Sequence, residues 1–325
     1  MSKQSRVAVF GGLTALLVAG NTFAQNNFVI FDAPDSTGTA ALGINTPGII
    51  TGYIVTSGGG SLGFVRDAGG TIASFQVPGS RSTTGGRINY WGTILGDYRD
   101  SQNMNHSFLL DTSGNFTLFD PPDSTSSGSV GLNDLGEVTG SFGSPHQHGF
   151  LRQVDGSFII FDPPGSNTTV PSSINVHGTI VGAFTDSVGW HAFVRTRAGG
   201  ITTFDVPGST TTWAADINGS GTIAGYYFDA RNTVRAFVRD PSGNLTFFLP
   251  NRSCYSVAIN ESGTITFACG NDGFVREPDG TIKPIVAPPD AECQRVAPEG
   301  INRDGIVTGF CLTPSGRSRG FVFTP

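Results

Sequence analysis

The stretch Ile44-Asn45-Thr46-Pro47-Gly48-Ile49-Ile50-Thr51-Gly52 decides the fold, because it does not occur only once. An Asn-x-x-Gly unit preceded by Ile or Leu returns at Ile88-Asn89, Leu132-Asn133, Ile174-Asn175, Ile217-Asn218, Ile259-Asn260 and Ile301-Asn302. The intervals are 44, 44, 42, 43, 42 and 42 residues. Glycine follows each Asn three residues later, at Gly48, Gly92, Gly136, Gly178, Gly221, Gly263 and Gly305. A self-similarity of this period marks an array of small structural units. Asn bonds back to the backbone of a turn and Gly supplies its positive φ, so each unit reads as a tight hairpin turn between two strands.

Working outward, other positions keep the same period. An aromatic step appears at Gly63-Phe64, Ser107-Phe108, Gly149-Phe150, Ala192-Phe193, Ala236-Phe237, Gly273-Phe274 and Gly320-Phe321. A Phe-Asp ending appears at Phe31-Asp32, Phe119-Asp120, Phe161-Asp162 and Phe204-Asp205, with Phe75-Gln76 related to it. Each copy therefore divides into four short strands, A to D. In the third copy these are predicted at Gly128–Asn133, Glu137–Phe142, Gly149–Arg152 and Ser157–Asp162. A glycine inside strand B, as in Thr51-Gly52-Tyr53 and Ala224-Gly225-Tyr226, predicts close approach of a neighbouring sheet. Strand D of the second copy is expected to be apolar on both faces, with Phe116 and Leu118 opposite Phe119.

Four antiparallel strands in 42 to 44 residues is the size of a propeller blade. The predicted class is all-β, a seven-bladed β-propeller. The ends support a ring. Phe28-Val29-Ile30-Phe31-Asp32 is a strand D without A, B or C before it, and Arg319-Gly320-Phe321-Val322-Phe323 is a strand C without D after it. The N-terminal strand is therefore expected to complete the last blade, which removes exposed sheet edges.

Composition agrees. Of 325 residues, 46 are Gly and 25 are Phe, and only 14% are charged, which suits a turn-rich β protein. Lys3 and Arg6 precede a mostly apolar run, Val7 to Gly20, and Thr22-Phe23-Ala24 fits a small-x-small cleavage site. The expected division is a signal peptide over 1–24 and one seven-repeat domain over 25–325, outside the cell, in a periplasm or on a cell surface. Without Lys3 and Arg6 the 19 basic residues become 17 against 25 acidic, a net charge of −8 with no Lys/Arg cluster. That argues against nucleic acid and anionic membrane as partners, and against membrane insertion of the mature chain.

All four cysteines lie in the last two copies, and an exported chain permits disulfides. Cys254 and Cys293 each open a Cys-x-x-Val-Ala run, while Cys269 and Cys311 each fall nine residues after a repeat Asn. The start of strand A lies beside the end of strand B in a hairpin. The expected bridges are Cys254–Cys269 and Cys293–Cys311, in equivalent places of adjacent units.

The motifs Phe-Asp-x-Pro-Gly-Ser, Ile-Asn-x-x-Gly-x-Ile-x-Gly and His191-Ala192-Phe193 together resemble the extracellular HAF-repeat family, from Phe28 to Pro325. The sixth copy departs from the pattern, with Phe247-Phe248-Leu249-Pro250 and Asp272-Gly273-Phe274. The resemblance implies a secreted repeat protein and implies no reaction.

Chemistry is hard to find in the chain. His106, His148 and His191 share one repeat position and read as structural. The repeated Asp32, Asp120, Asp162 and Asp205 precede prolines or sit at the strand end and read as turn caps. His146 and His148 could form half a metal site, but no third ligand is identifiable, so neither a metal nor another cofactor is assigned. No nucleophile elbow, phosphate loop or His-Glu-x-x-His motif is present, and no catalytic residue is assigned. The B–C loops vary most and share one face with the D–A connections, so recognition is expected there. Arg99, Asp100, Asp186, Trp190, Trp213, Asp229 and Arg231 are the candidate ligand-binding residues. The reading is a non-enzymatic secreted or surface module that binds protein or glycan. A propeller-type lyase or hydrolase and a purely structural envelope repeat protein stay open as rivals.

Overall fold

The computed structural model describes residues 28–143, 145–248 and 252–325. The expected leader over 1–24 and the Leu249-Pro250 departure lie outside the described residues. Among the described residues 28 strands, β1 to β28, follow one another, with a single 3-10 turn at Pro289–Ala291. No helix among them is long and apolar enough to cross a membrane. The third copy forms β10 (Ser127–Leu132), β11 (Val138–Phe142), β12 (His148–Arg152) and β13 (Phe158–Phe161), each end within one residue of its sequence position.

Every repeat folds as one group of four antiparallel strands in the order A-B-C-D. The A strands are β2 (Gly38–Ile44), β6 (Ser82–Ile88), β10, β14 (Thr168–Ile174), β18 (Thr211–Ile217), β22 (Cys254–Ile259) and β26 (Arg295–Ile301). Five sheets have four strands. The fourth and fifth groups merge into an eight-stranded sheet through a parallel bridge between Trp190 and Thr211. Among the described residues no sheet closes on itself. β1 (Phe28–Phe31) pairs with β28 (Ser318–Phe323), Phe28 opposite Phe323, and so occupies the D place beside β27 (Val307–Leu312) and β26.

The A strands touch one another in succession, and β26 touches β2. The repeat Asn explains how neighbouring groups are tied. Its Oδ1 accepts the N–H two or four residues ahead, as Asn45 does from Ile49 at 2.9 Å and Asn175 from His177 and Thr179 at 3.0 Å. Its Nδ2 is left over, and donates to the main-chain carbonyl of the Asn in the next group. The bonds run Asn45 to Asn89, Asn89 to Asn133, Asn133 to Asn175, Asn175 to Asn218, Asn218 to Asn260 and Asn260 to Asn302. All seven Asn side chains are buried, and each would leave unmatched polar groups if shortened.

The core is repeated rather than central. Strand C supplies fully buried Phe64, Phe108, Phe150, Phe193, Phe237 and Phe321. The strand-B glycine serves this ring and its own sheet, not the neighbouring one. A Cβ on Gly225 would lie 2.3 Å from the Trp213 carbonyl oxygen and 2.5 Å from the Phe237 ring. In the sixth group Phe267 takes the glycine's place and stacks on Phe274 at 5.4 Å. There the register shifts by one residue between Tyr255 and Ala258, as it does in the other A strands, but over a longer break in the ladder.

Between groups, the Arg ending strand C lies over a strand-D Phe of the preceding group. Arg66 sits 4.9 Å from Phe31, Arg152 4.8 Å from Phe119, Arg195 4.9 Å from Phe161 and Arg239 4.7 Å from Phe204. Such stacking is favourable when the cation is shielded from water. Strand D is less buried than expected, because it lies at the outer edge of its sheet, and Leu118 is 49% exposed.

Both disulfides form, Cys254–Cys269 and Cys293–Cys311. Their expected equivalence does not hold. Cys254 lies within β22 directly opposite Cys269, whereas Cys293 precedes β26 and follows the 3-10 turn.

Candidate binding site

All seven A strands line one cavity of about 180 Å³, through Gly43, Arg87, Gly131, Ser173, Asp216, Ala258 and Gly300 among others. Three of these residues are glycines because backbones crowd there. A Cβ on Gly43 would meet the Gly86 carbonyl oxygen at 2.6 Å. Asp216 is buried and fully engaged, accepting from Ser173 Oγ at 2.6 Å, Ile217 N at 3.0 Å and Ile259 N at 2.9 Å.

Toward the B–C loops, two of the candidate residues meet. Trp190 opens β16 (Trp190–Arg195) and Trp213 lies early in β18, and the 190–211 bridge brings their strands together. The indole centroids are 5.0 Å apart. Trp213 also stacks on Tyr226 at 6.0 Å with the rings 5° from parallel, and its Nε1 donates to Ser172 Oγ of the preceding group at 2.9 Å. Both tryptophans remain partly exposed. The result is an aromatic platform whose orientation is fixed by stacking and one hydrogen bond.

The remaining candidates are spread out. Asp100, Asp186 and Asp229 hold equivalent places and close their own B–C loops. Asp100 Oδ1 accepts from Gln102 N and Met104 N, Asp186 Oδ1 from Val188 N, and Asp229 Oδ1 from Arg231 N and Thr233 N. These backbone hydrogen bonds come first in holding all three carboxyls below the usual range. Asp186 adjoins the platform through His191, at 3.2 Å. Arg231 is exposed on the loop after Phe228, and Arg99 and Asp100 belong to the second group, away from the tryptophans in sequence and sheet.

The histidines share a partner as well as a repeat position. His106, His148 and His191 meet Asp120, Asp162 and Asp205 through Nδ1 at 2.7, 2.7 and 2.8 Å. Arg319 makes the same contact with Asp32. These aspartates thus join strand C to the end of strand D, and Asp120 and Asp162 also brace the turn as expected, accepting from Ser127 Oγ and Thr169 Oγ1 through Oδ1 at 2.6 and 2.5 Å. Ser and Thr serve the turn, as when Ser36 Oγ donates to the Ala33 carbonyl and Thr39 Oγ1 accepts from Ala33 N. Burial opposes charge on His106 and His191, but the Asp120/Asp100 and Asp205/Asp186 pairs outweigh it and raise both pKa values. His146 Nδ1 faces the Asn167 carbonyl, so it and His148 turn to different partners.

Three features have no counterpart among the candidates. Asp97 accepts from Ser107 Oγ and Ser129 N between the second and third groups, and burial pushes it up to about 6. Arg87 lines the central cavity, and burial pushes the Glu299 carboxyl up to about 7. At the turn end, Arg303 reaches Asp134 at 3.0 Å beside Tyr90 and Trp91, the latter 68% exposed.

Solved structures with the same arrangement of sheets include virginiamycin B lyase from Staphylococcus aureus. It is 15% identical over 92% of this chain and 99% of that one, with a TM-score of 0.61. The β-propeller domain of the Trilobed protease from Pyrococcus furiosus, described as having an open velcro topology, is 12% identical over 88% and 96%, with a TM-score of 0.65. The fold is a β-propeller. Puromycin hydrolase shares it at 14% identity over 89% of this chain and 55% of that one, with a TM-score of 0.62. At these identities the likeness concerns the propeller alone. No family model matches the chain, and no curated protein matches it.

Proposed function

We propose that this chain is an exported, seven-bladed propeller of the HAF-repeat kind, a single domain over 25–325 released from a leader over 1–24. β1 completes its seventh blade. Its role is recognition of protein or glycan on the loop face, without catalysis of its own, and glycan is the better match. The observation that carries this is the Trp190–Trp213 contact at 5.0 Å, backed by Tyr226. Partly exposed, rigid aromatic faces offer stacking surface to the C–H faces of sugars at little cost in side-chain entropy. Export and a place outside the cell are supported by the two disulfides, which persist in oxidising surroundings.

The test is tryptophan fluorescence titration of the mature chain with an oligosaccharide panel. A ligand that shifts the emission should bind at least tenfold more weakly to Trp213→Ala and Trp190→Ala. Unchanged affinity in both variants would exclude this platform. Product release from a bound oligosaccharide would favour the lyase or hydrolase reading instead.

A further inference from the structure

The turn after β6 carries a second aromatic pair, Tyr90 and Trp91, at the opposite end of the A strands from Trp190 and Trp213. Relative to its repeat Asn, Trp213 stands five residues before and Trp91 two after. Strand rise therefore sets the two indoles at levels roughly 20 Å apart. Both rings of the turn pair are exposed, and they meet edge to face with centroids 5.0 Å apart.

Asp134 of the third group fixes the pair. Its Oδ1 accepts from Tyr90 N at 2.9 Å, and its main-chain carbonyl accepts from Trp91 Nε1 at 3.0 Å. Its Oδ2 accepts from Arg303 of the seventh group, whose guanidinium also lies 5.8 Å from the Tyr90 ring. β26 touches β2, β2 touches β6 and β6 touches β10, so Arg303 reaches past two groups to make this bond. Asp134 lines the central cavity as well, which places the cluster at the turn end of that cavity. Holding the turn does not require the rings. Gly219, which has no side chain, makes the same bond from its N–H to Glu261 Oε2 of the next group at 2.9 Å.

We propose that this turn face holds a glycan-binding site of its own, in which a pyranose ring stacks on Trp91 and its hydroxyls meet Arg303 and Asp134. The indole N–H is already given to Asp134, so Trp91 presents its face and not its donor to a ligand. A pyranose with equatorial hydroxyls has apolar C–H faces and a polar rim. That shape matches an exposed, seated ring flanked by a carboxylate and a guanidinium. Capacity remains for the rim. Among the described residues Arg303 gives a hydrogen bond from Nη2 alone, and the Asp134 carboxylate keeps lone pairs beyond the two bonds it accepts. A protein partner would need about 800 Å² of surface with an apolar centre. The places equivalent to Trp91 in the other turns hold Pro47, Leu135, His177, Ser220, Ser262 and Asp304, four of them polar, which favours the smaller contact of a saccharide. The site stands whether or not the loop face binds glycan. If both faces do, one chain holds two saccharide strands at once, and that consequence alone rests on the loop-face reading.

The chain has three tryptophans, so Trp190→Phe with Trp213→Phe leaves Trp91 as the sole indole. The mature chain carrying both changes is titrated with cellohexaose and with chitohexaose, two chains of equatorially linked pyranoses, while Trp91 emission is followed. At least one of them should shift the emission to saturation, and Arg303→Met should weaken that binding by about tenfold, as loss of a charged hydrogen bond does. Melting curves show whether each variant is folded. Calorimetry on Trp91→Ala in the otherwise native chain covers the case in which the double variant is not, and there the number of bound hexasaccharides should fall. Emission unmoved by either sugar, or an unchanged number bound by Trp91→Ala, overturns the site. Full binding by Trp91→Ala with none by the double variant overturns it and leaves the loop-face reading standing. The reverse pattern supports the turn site and removes the loop face. Sedimentation in which Trp91→Ala converts a dimer to a monomer also overturns the site, because a second copy would then cover the ring.

Discussion

Asn302 Nδ2 donates to the Asn45 main-chain carbonyl at 3.2 Å, across 257 positions of sequence. It is the same bond that each of the six other repeat asparagines makes to its successor, so first and last groups meet as any two neighbours do. Asn302→Ala removes that donor and orphans the turn amides of Asp304 and Ile306, which Oδ1 accepts. The expected loss is about 2–4 kcal/mol in denaturant unfolding, and Asn175→Ala should lose a similar amount. A silent Asn302→Ala beside a damaging Asn175→Ala would show that the ends do not meet in solution.

Gly225→Ala places a methyl 2.3 Å from the Trp213 carbonyl oxygen, which belongs to backbone and cannot swing aside. The variant should lose about 3 kcal/mol or more and disturb Trp213. Near-ultraviolet circular dichroism and thermal melting read both effects. An unchanged aromatic spectrum would mean that the sheet absorbs the methyl elsewhere.

Arg195→Leu tests the guanidinium–Phe161 stack. The second group already has Leu110 at this place in strand C. Arg195 gains from the ring, yet its Nε is buried without a partner. These terms oppose one another, so the change should stay within about 1 kcal/mol of wild type. A much larger loss would make the cation essential to the interface.

Reading the sequence captured the Asn-x-x-Gly hairpins, since turn chemistry is local. It missed the second use of the same Asn, because the acceptor is a main-chain carbonyl 42 to 44 residues away that any residue type could provide. The His–Asp pairs were within reach. His106, His148 and His191 each stand 14 residues before an Asp, and the first group, with Leu62 and Gln76 there, lacks both partners together. Trp190 and Trp213 were visible as unusual residues, but their contact depends on the merging of two sheets. Glu299 was hidden because a bulge reverses the alternation that tells inward from outward along a strand.

Stability should peak in mildly acidic solution. Burial raises the folded pKa values of Asp97 and Glu299 to about 6 and about 7, from ordinary values of 3.8 and 4.5. The folded chain therefore holds these protons longer, and stability falls as pH rises through that interval. Raised pKa values at His106 and His191 act in the same sense, their stabilisation being complete below 6.5 and lost as pH rises through the folded values. The lowered carboxyls of Asp100, Asp186 and Asp229 stabilise above 3.8, and that contribution is lost as pH falls through their folded values. The highest Tm is expected between about pH 4 and pH 6, and Asp97→Asn should flatten the decline above it. A Tm that rises steadily from pH 5 to pH 8 would contradict these assignments.

Reduction should strike the last two groups. Each disulfide closes a loop of 15 or 18 residues and is worth about 3 kcal/mol in the loop-entropy model. Cys254→Ser with Cys269→Ser should lower Tm by an amount similar to the Cys293/Cys311 pair, and dithiothreitol should reproduce their sum. Hydrogen exchange would place the loosened amides in β22 to β28, and protection lost first in β2 to β9 would contradict that placement.

The pairing of Phe28 with Phe323 also bears on synthesis. β1, the earliest of the described strands, finds its partner only when β28 has been made. Until then Phe28, which stacks on Phe321, waits with an unpaired edge. A polypeptide cut short anywhere before β28 carries that sticky segment unsatisfied, visible to proteases and chaperones. Truncation ahead of β28 is thereby reported at the other end of the described fold, where β1 has nothing to pair with.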